Sequence, residues 1–389
     1  MANTKASCVT HHTAYIYDRG GTRMVEPLVD LSQVQWSRVR DNCSEAMIRI
    51  EGDACSANAK ILADARSHRH ELVIFRGDER VWEGPIHRIS TQSERAEIHA
   101  KDVLNYLNYQ PLTQRYSNAS EGGVSHTDTV SGRIEKIIEY ELAHGRTMIG
   151  PDGSPVAIPA WEALDPPINV LPHLDVRHFP NEAETTAVTE AYETTVGAHL
   201  QWLARQSGID FTTIGRRIII WDVSRNLGVL QTMTTDQFLN DVIVTEYGAD
   251  HTQAAYSVGQ NAMYGQAVDV EHLDYYGPWT TMYTVYHEEG SEIPTQPELD
   301  SQARRNLSGR SPAPVEVRIP DNSTIILNDI PINALIPGVQ VPLRAVLNFR
   351  PIAQQQKIDI VRVTETATEE RVQVTLTPAT KPDSDVEEP

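Results

Sequence analysis

Basic residues are scarce in this 389-residue chain. Lys and Arg number 33 against 53 Asp and Glu, which gives a formal net charge of −20 at neutral pH. A nucleic-acid-binding protein needs a basic face, so this class is disfavoured. If DNA passes close to the protein, electrostatic repulsion would keep it from binding, as a conduit requires. A solvated acidic surface is the commoner explanation of such a charge, and both interpretations stay open.

Cysteine and long apolar runs are also scarce. The three cysteines, Cys8, Cys43 and Cys55, are an odd number and form no Cys-x-x-Cys, which disfavours a disulfide framework and a cysteine zinc site. We expect small buried thiols. The longest apolar runs, such as Arg217 to Trp221, have the length of a strand and not of a membrane span. Because the first residues also lack the apolar centre of a signal peptide, we expect a soluble protein made in a cytoplasm.

Motifs of catalysis are missing as well. The sequence has no His-Glu-x-x-His, no Gly-x-Ser-x-Gly and no glycine-rich phosphate or dinucleotide loop. The pairs His11/His12 and His68/His70 have no third ligand at a metal-binding spacing, so a structural or exposed role is favoured. The Ser125–Asp128 stretch contains the residue types of a catalytic triad, but triad members meet through the fold and not as neighbours. The sequence therefore predicts no catalytic, cofactor-binding or metal-binding residue, and no enzyme.

What the sequence does contain is strands, and the clearest stretch runs from Val34 to Ile50. It begins as an aromatic strand end at Trp36, turns at a polar corner, and resumes with apolar residues on alternate positions. Asp41 and Asn42 suit the corner because their side chains can bond the nearby backbone. We expect a hairpin arm that closes a barrel, with Trp36 and Arg38 as its decisive residues.

A meander of short strands surrounds this hairpin. Strands are predicted at 13–17, 71–76, 80–86 and 95–100, with a helix at 54–65. Within the third of these strands, Gly84 permits close approach of another backbone, and Pro85 cannot donate to a ladder. We therefore expect Gly84 and Pro85 to form a barrel corner, with or without a partner contact.

The middle of the chain has helical periodicity and a proline-rich interruption. Helices are predicted at 127–144 and 185–206, and the second leads into a hairpin formed by 209–213 and 217–223. Between the helices, the stretch 150–180 is interrupted by seven prolines: Pro151, Pro155, Pro159, Pro166, Pro167, Pro172 and Pro180. Such a density predicts an irregular loop, either one that faces a partner or one that is merely solvated.

The last third returns to strands. A strand is predicted at 239–247, a helix at 295–307 and a hairpin between 358–364 and 370–376, while Pro337 and Gly338 form a turn before another strand. The neighbourhood of the first of these strands is rich in tyrosine, which is common both at interfaces and in ordinary strands: Tyr247, Tyr256, Tyr264, Tyr275, Tyr276, Tyr283 and Tyr286.

Together these patterns predict a mainly β protein with an α+β insert. Residues 1–110 would form an N-terminal β-barrel-like domain and residues 111–235 the helix-containing insert with its proline-rich loop at 150–180. Residues 236–380 would form a second β-barrel-like domain with a helix near 296–307. The acidic end, 381–389, is expected to be a disordered tail.

Three stretches resemble one known family. Trp36-Ser37-Arg38 followed by Ser44-Glu45-Ala46, the extended Trp82-Glu83-Gly84-Pro85-Ile86, and the Leu335–Val339 turn are similar to segments of phage tail-hub proteins. Those proteins include baseplate hubs, minor tail proteins and the N-terminal hub part of siphophage tail-tip proteins. The order of two strand-rich regions around a helical unit also resembles that family.

The resemblance implies an assembly protein at the distal end of the tail tube. It implies a homotrimeric ring that adapts a six-fold tube to a three-fold tip, with DNA passing through the channel without specific binding. The implied partners are other copies of the chain, distal tail and tail-tube proteins, the tape measure protein and other minor tail proteins. The implied place is the virion tail tip, after synthesis in the host cytoplasm, with no cofactor. The alternatives are a tail-tip cell-wall hydrolase and a host-receptor-binding protein.

Overall fold

The computed structural model describes most of the chain. The described residues are 9–19, 21, 27–52, 57–117, 124–125, 129–165, 174–179, 190–207, 209–223, 225, 227–239, 243–246, 248–259, 262–284, 295–307, 310–311, 315–318, 324–326, 330–346 and 351–379. The predicted acidic tail at 381–389, Cys8, Cys55, Tyr247 and Tyr286 lie outside them. The protein is mainly β, with 45% strand against 21% helix, as predicted.

Strands from both ends of the chain form one ten-stranded sheet. Its N-terminal strands are β1 (His12–Asp18), β2 (Leu31–Val39), β3 (Glu45–Glu51), β4 (His70–Arg76), β5 (Glu79–Thr91) and β6 (Arg95–Lys101). Its other strands are β14 (Met233–Thr234), β20 (Gln340–Val346), β21 (Pro351–Thr366) and β22 (Glu370–Pro378). The order is β1-β4-β5-β6-β3-β2-β21-β20-β14, and β22 pairs with β21.

Strand β21 joins the two ends of the chain. Its first half pairs with β20, its second half pairs with β2, and β22 runs along its other edge. The predicted hairpin between β21 and β22 is present, with Val361 opposite Val374. One continuous apolar core, from Ala14 to Leu376, lies under this sheet. Among the described residues the strands do not close into a barrel, so the two-barrel layout is not confirmed.

A second core belongs to the α+β insert. It contains α2 (Leu104–Asn108), α3 (Val130–Ala143), α4 (Val196–Ser207), β11 (Asp175–His178), β12 (Ile209–Ile214) and β13 (Arg217–Asp222). The predicted apolar stripe of α3 is buried, and the predicted hairpin of β12 and β13 is formed. Strand β11 adds to this hairpin in parallel with β13. The domain boundaries at residues 110 and 235 stay a prediction.

Two helices begin later than their periodicity predicts. Helix α4 begins at Val196, and residues 190–195 before it form turns and bends instead of helix: the amide of Leu112 donates to the carbonyl of Thr194, and that of Tyr192 donates to the carbonyl of Leu112. Residues 185–189 of the predicted helix lie outside the described part. Helix α1 (Ala59–Asp64) begins after Asn58, whose side chain instead bonds both backbone groups of Val29.

The proline-rich stretch is more regular than predicted. It contains the turn and the second strand of a hairpin formed by β9 (Arg146–Ile149) and β10 (Pro155–Ile158), a turn of 3₁₀ helix at Trp161–Ala163, and strand β11. The expectation of an irregular loop over 150–180 is therefore wrong for these residues, because prolines at a strand start and outside strands do not prevent pairing. Residues 166–173 lie outside the described part.

A small α/β unit precedes the closing strands. Helix α6 (Gln296–Leu307) packs on the sheet of β16 (Ala254–Val258), β17 (Tyr264–Val268) and β18 (Thr280–Thr284), with the short α5 (Leu273–Tyr276) in the connecting loop. The remaining strands form two short pairs: β7 (Tyr116–Ser117) with β8 (Val124–Ser125), and β15 (Ile243–Glu246) with β19 (Val315–Arg318). In the described part of the chain, no helix has both the length and the apolarity that crossing a membrane requires.

Candidate functional site

Three segments of the chain meet at the corner of the β2–β3 hairpin. Arg40 donates from Nη1 to Asp210 Oδ1 in the insert (2.8 Å) and from Nε to Asp359 Oδ1 in β21 (2.8 Å). Lys357 of β21 binds the other oxygen of Asp210 at 3.0 Å. We call these four residues with Asp41 the junction. It ties the hairpin, the insert and the C-terminal strands together.

Backbone bonds fix the same corner. The amide of Asp41 donates to the carbonyl of Phe211, and the amide of Phe211 donates to Asp41 Oδ1, both at 2.8 Å. The amide of Arg40 donates to the carbonyl of Asp359 at 3.0 Å. Asp41 has a φ of +60°, a conformation that Asp and Asn adopt more readily than other non-glycine residues. The polar corner in the sequence is therefore a docking element for the insert.

The electrostatics of the junction depend on Asp210. Its carboxylate is fully buried, and each of its oxygens contacts a cation, Arg40 or Lys357. A buried ion pair gives little net stability against an apolar substitute, but removing one partner leaves an uncompensated charge. The junction therefore contributes less to net stability than to fixing how the β2–β3 hairpin, the insert and β21 are positioned relative to one another.

A second contact joins the insert to the N-terminal strands. Arg216, in the β12–β13 turn, forms ion pairs with Glu71 and Glu83, and Tyr106 donates to Glu71 at 2.5 Å. Burial lowers the pKa of Arg216 to about 10 and raises the pKa of Glu83. Burial also raises the pKa of Tyr106 above its ordinary value. These shifts reflect groups enclosed between two cores, and the bonds among them hold the two cores together.

Asp102 forms a third contact between the same parts. Its carboxylate accepts hydrogen bonds from the amide of Ser44 (2.6 Å), from Cys43 Sγ (3.1 Å) and from Thr213 Oγ1 (2.9 Å). Burial raises the pKa of Asp102 and that of the Cys43 thiol. Cys43 is half-buried, as a small packed thiol should be, and it serves as a donor to a structural carboxylate.

Trp36 and Arg38 lie side by side in the main core. Trp36 is fully buried and donates from Nε1 to His12 Nε2 at 3.1 Å. The Arg38 guanidinium stands 5.0 Å from the Trp36 ring centroid and donates to the carbonyls of Val81 and Leu335. Burial lowers the pKa of Arg38 to about 10. This pair connects β2 to β5 and to the loop before β20.

Gly84 and Pro85 lie where β5 changes partners. Residues Glu79–Pro85 pair with β4, and residues Ile86–Thr91 pair with β6. A Cβ on Gly84 would overlap the carbonyl oxygen of Lys101, so only glycine permits this approach. The structure thus places both residues at a bend of the sheet.

Pro337 and Gly338 form the turn before β20. The amide of Gly338 donates to the carbonyl of Ile358 at 2.8 Å, and its φ is +91°. Its Cα lies against the indole of Trp221, a fully buried residue of the insert strand β13. The turn is therefore another contact between the C-terminal strands and the insert. That the six predicted residues are decisive for folding stays a prediction.

A cluster that sequence reasoning missed surrounds Glu365. This buried carboxylate of β21 accepts hydrogen bonds from the amides of Thr10, His11 and His12 and from His12 Nδ1 at 2.6 Å. Burial alone would raise the pKa of Glu365, but these hydrogen bonds lower it to about 2. Arg76 forms a bidentate pair with the neighbouring Glu370, both bonds at 2.8 Å.

One sequence signal could have located Glu365. In β21 the alternate residues Val361 and Val363 face the core, and Glu365 is the next residue on the same face. A carboxylate therefore occupies a position where the alternation predicts an apolar side chain. The cluster also assigns roles to the first histidine pair, which the sequence left as structural or exposed. His12 is buried, and its tautomer is fixed by Trp36 on one nitrogen and Glu365 on the other.

The other sequence candidates are not brought together. His70 accepts a hydrogen bond from the amide of Arg66, and burial lowers its pKa, while His68 packs on the ring of Tyr109. The described residues contain no group of three or more His, Cys, Asp or Glu side chains arranged to hold a metal ion. The Ser125–Asp128 stretch lies outside the described side chains. What the structure brings together instead are charged groups that connect chain segments.

Comparison with solved structures finds proteins with a similar fold. The 43 kDa tail protein of prophage MuSo2 from Shewanella oneidensis matches 95% of this chain and 97% of its own, with a TM-score of 0.55 and 10% identity. Prophage tail protein gp18 from Listeria monocytogenes EGD-e matches 96% and 95%, with a TM-score of 0.58 and 9% identity. The chain has the fold of phage tail proteins.

A third tail protein has a similar fold, whereas comparison of the sequence alone finds no match. The tail protein from Neisseria meningitidis MC58 matches 95% of this chain and 97% of its own, with a TM-score of 0.52 and 11% identity. No family model matches the sequence, and no curated protein matches it. At this level of identity the tail-protein likeness is one of fold, and in that sense the resemblance predicted from the three short stretches is confirmed.

Proposed function

We propose that this protein is a structural component of a phage tail, forming the hub at the distal end of the tail tube. The observation that carries the proposal is the shared fold, which extends over nearly the full length of this chain and of three prophage tail proteins. The likeness includes the main sheet, the insert and the small α/β unit, since about 95% of the chain is covered.

The buried charges support a structural role and not a catalytic one. Asp210, Glu365 and Arg216 are each enclosed by partners from other segments of the chain. Groups held in this way fix the relative position of segments, whereas a catalytic acid or base needs access to a substrate. A ring-forming protein works through broad complementary surfaces on a rigid body, which such interlocking provides.

In this proposal three copies form a ring around the channel and adapt a six-fold tube to a three-fold tip. Its partners are distal tail and tail-tube proteins, the tape measure protein and other minor tail proteins. The net charge of −20 favours passage of DNA through the channel without specific binding. The protein acts in the virion tail tip after synthesis in the host cytoplasm, and it needs no cofactor.

The test is the mass of the purified protein in solution, alone and mixed with the tail-tube protein of the same phage, followed by negative-stain imaging. A species of three times the 43.4 kDa of one chain, or rings that form with the tube protein, is the expected result. A monomer that binds no tail protein would overturn the proposal. A lytic band in zymography on host cell walls would favour a hydrolase, and direct binding to host cells would favour a receptor-binding protein.

A further inference from the structure

A cleft in the small α/β unit lies apart from the contacts that hold the segments of the chain together. Its volume is about 760 Å³, a size typical of sites that bind small molecules. Its walls come from β16, β17, α6 and the residues that follow α6. The side chains that give it chemical character are one aromatic and four polar residues: Tyr256, Gln266, Asp269, Arg304 and Ser311.

Hydrogen bonds hold the acidic side of the cleft in place. Ser311 accepts a hydrogen bond from Gln253 Nε2 and donates one to the carboxylate of Asp269. Asp269 also accepts from His272 Nδ1 at 2.9 Å and from the amide of Glu271 at 3.0 Å. The bond from Ser311, supported by the other two, lowers the pKa of Asp269, so this group is a carboxylate at neutral pH. Its charge and position are therefore set before a ligand arrives, which reduces the cost of binding.

A buried amide behind this side of the cleft lacks a donor. Gln253 is 0% exposed, and its Nε2 donates to Ser311, which lines the cleft. No group in the described part of the chain donates to its Oε1. A buried carbonyl oxygen in this state is unfavourable, because it has lost water and gained no partner. Since Ser311 joins this amide to the cleft, a hydroxyl donor entering there would supply what the site lacks.

The lining of the cleft is polar but balanced in charge. Among its described residues, Asp269 is the one acid and Arg304 of α6 is the one strong base. Gln266 and Ser311 can each donate and accept. A polyanion would meet the carboxylate of Asp269 on a chain of net charge −20, and a cation would meet the guanidinium of Arg304. The set fits a neutral ligand with many hydroxyl groups, because a hydroxyl donates to a carboxylate and accepts from a guanidinium or an amide.

Aromatic residues surround the cleft. Tyr256 lines it and contacts Tyr264 edge-to-face, with the ring centroids 5.8 Å apart. Trp279 is tied to the same wall, because its carbonyl accepts the amide of Ala254 at 3.0 Å. Its indole donates to the carbonyl of Tyr276 at 2.8 Å and is nevertheless 63% exposed. The face of an aromatic ring carries partial negative charge, which suits it to pack against the C–H groups of a sugar ring.

We propose that this cleft binds a saccharide. Asp269, Arg304 and Gln266 bond its hydroxyl groups, and the ring of Tyr256 packs against the C–H face of the sugar. The inference goes beyond the structural role proposed above, because it adds a ligand to a protein whose other buried charges connect segments of the chain. It also gives a function to the tyrosine-rich stretch, which the sequence left open between an interface and ordinary strands.

Two sources share this ligand chemistry: the neutral polysaccharide of a host surface, and free sugars. The first source rests on the proposed place of the protein at the tail tip. The test therefore has two arms, both with the full chain. Ligand-observed NMR titration uses glucose, galactose, rhamnose and N-acetylglucosamine, and isothermal titration calorimetry uses neutral polysaccharide purified from host cell walls. Binding in the polysaccharide arm alone identifies the host surface as the source, and binding in the sugar arm alone identifies free sugars.

Variants place the ligand in the cleft. Arg304→Ala and Gln266→Ala each remove one hydrogen-bonding group at an exposed position, and each should weaken binding about ten-fold or more. Arg362→Ala and Gln92→Ala, exposed positions outside the small unit, are the matched controls and should bind within about two-fold of the wild type. Val268→Trp fills the cleft from a position that is 51% exposed, without removing a hydrogen bond, and should abolish binding. Circular dichroism and thermal unfolding check that each variant is folded.

The inference is overturned if no saccharide binds the wild type, or if the cleft variants bind as the wild type does. Tighter binding of a phosphorylated wall polymer than of the neutral polysaccharide would also overturn it, since the balanced charge assigns the ligand class. If Val268→Trp loses a tail protein and the wild type binds no saccharide, the cleft is a protein interface instead. The mass in solution tests the hub proposal separately. A trimer that binds no saccharide overturns only this inference, and a saccharide-binding monomer that binds no tail protein overturns only the hub.

Discussion

Gly338 lies against the indole ring of Trp221, so closely that a Cβ on the glycine would overlap Cζ2 of the ring. The two residues belong to different parts of the chain, the turn before β20 and strand β13 of the insert. Gly338 also has a φ of +91°, which disfavours any side chain. Steric fit at this point therefore sets how closely the insert approaches the main sheet.

Gly338→Ala should lower the free energy of unfolding by about 2–4 kcal/mol, because the new methyl group must displace a buried Trp and adopt a strained φ. Urea unfolding followed by tryptophan fluorescence measures the change. Gly277→Ala is the matched control, since Gly277 has a φ of +88° and no atom near its virtual Cβ. The Gly277→Ala variant has the cost of a positive φ but no steric overlap. Equal decreases in the free energy of unfolding for the two variants would therefore show that the contact with Trp221 is unimportant.

Asp210→Asn should cost about 3–5 kcal/mol, since it leaves the buried Lys357 without its carboxylate partner and removes one of the carboxylates that pair with Arg40. The same change at Asp175, which pairs with the exposed Arg217 and Arg177 on the same small sheet, should cost less than about 1 kcal/mol. Limited proteolysis adds a second readout, because loosening of the junction should expose the β2–β3 corner to cleavage. A stability loss no larger than that of Asp175→Asn would argue against the junction.

Trp36→Ala should cost roughly 3–5 kcal/mol, as expected when a fully buried aromatic side chain is removed. Trp36→Phe keeps most of the volume and removes the N–H bond to His12, so about 1–3 kcal/mol is expected. Trp279→Ala, at a position 63% exposed, is the control and should change stability by less than about 0.5 kcal/mol. Tails that assemble normally with Trp36→Ala would exclude a decisive role for this residue.

Acid should destabilise the protein partly through Glu365. The folded pKa of this carboxyl is about 2, below the ordinary value of 4.5, so its contribution is complete above pH 4.5 and is lost as the pH falls towards 2. The contribution is on the order of 3 kcal/mol. Thermal unfolding between pH 7 and pH 2.5 should show a shallower acid decline in Glu365→Gln, from a lower starting stability. Glu369→Gln, which removes an exposed carboxylate nearby, should follow the wild-type slope; identical slopes for all three proteins would contradict the assignment.

Local pattern was sufficient to predict most strands of the main sheet and the β12–β13 hairpin, but not β10 and β11 in the proline-rich stretch. The alternation around Trp36 and Val361 correctly predicted two hairpins, and helix α6 was predicted within one residue of its bounds. Gly84 was expected to permit a close backbone approach, and it does. These features depend on residues a few positions apart, so the chain itself carries the information.

Pairing between distant segments was not predictable in the same way. The sequence indicated strands at both ends of the chain, but only the structure shows that β2 and β21 pair, so that both ends share one sheet and one core. Likewise, α4 begins late because residues 192–196 bond to the backbone of 110–112, a contact that overrides helical periodicity. The alternation of apolar residues specifies which face of a strand is buried. It does not specify which other strand pairs with it, because many strands with the same alternation would bury that face equally well.

By itself, then, the sequence determined a mainly β chain with a helical insert, an acidic character, and glycines where close approach is needed. The tertiary structure alone decided which carboxylates and cations are buried together. Asp210 looks like an ordinary acidic residue until Arg40 and Lys357, from positions far along the chain, enclose it. A charge can be buried only where a distant counter-charge or hydrogen-bond donor is placed within about 3 Å, and that placement is a property of the fold.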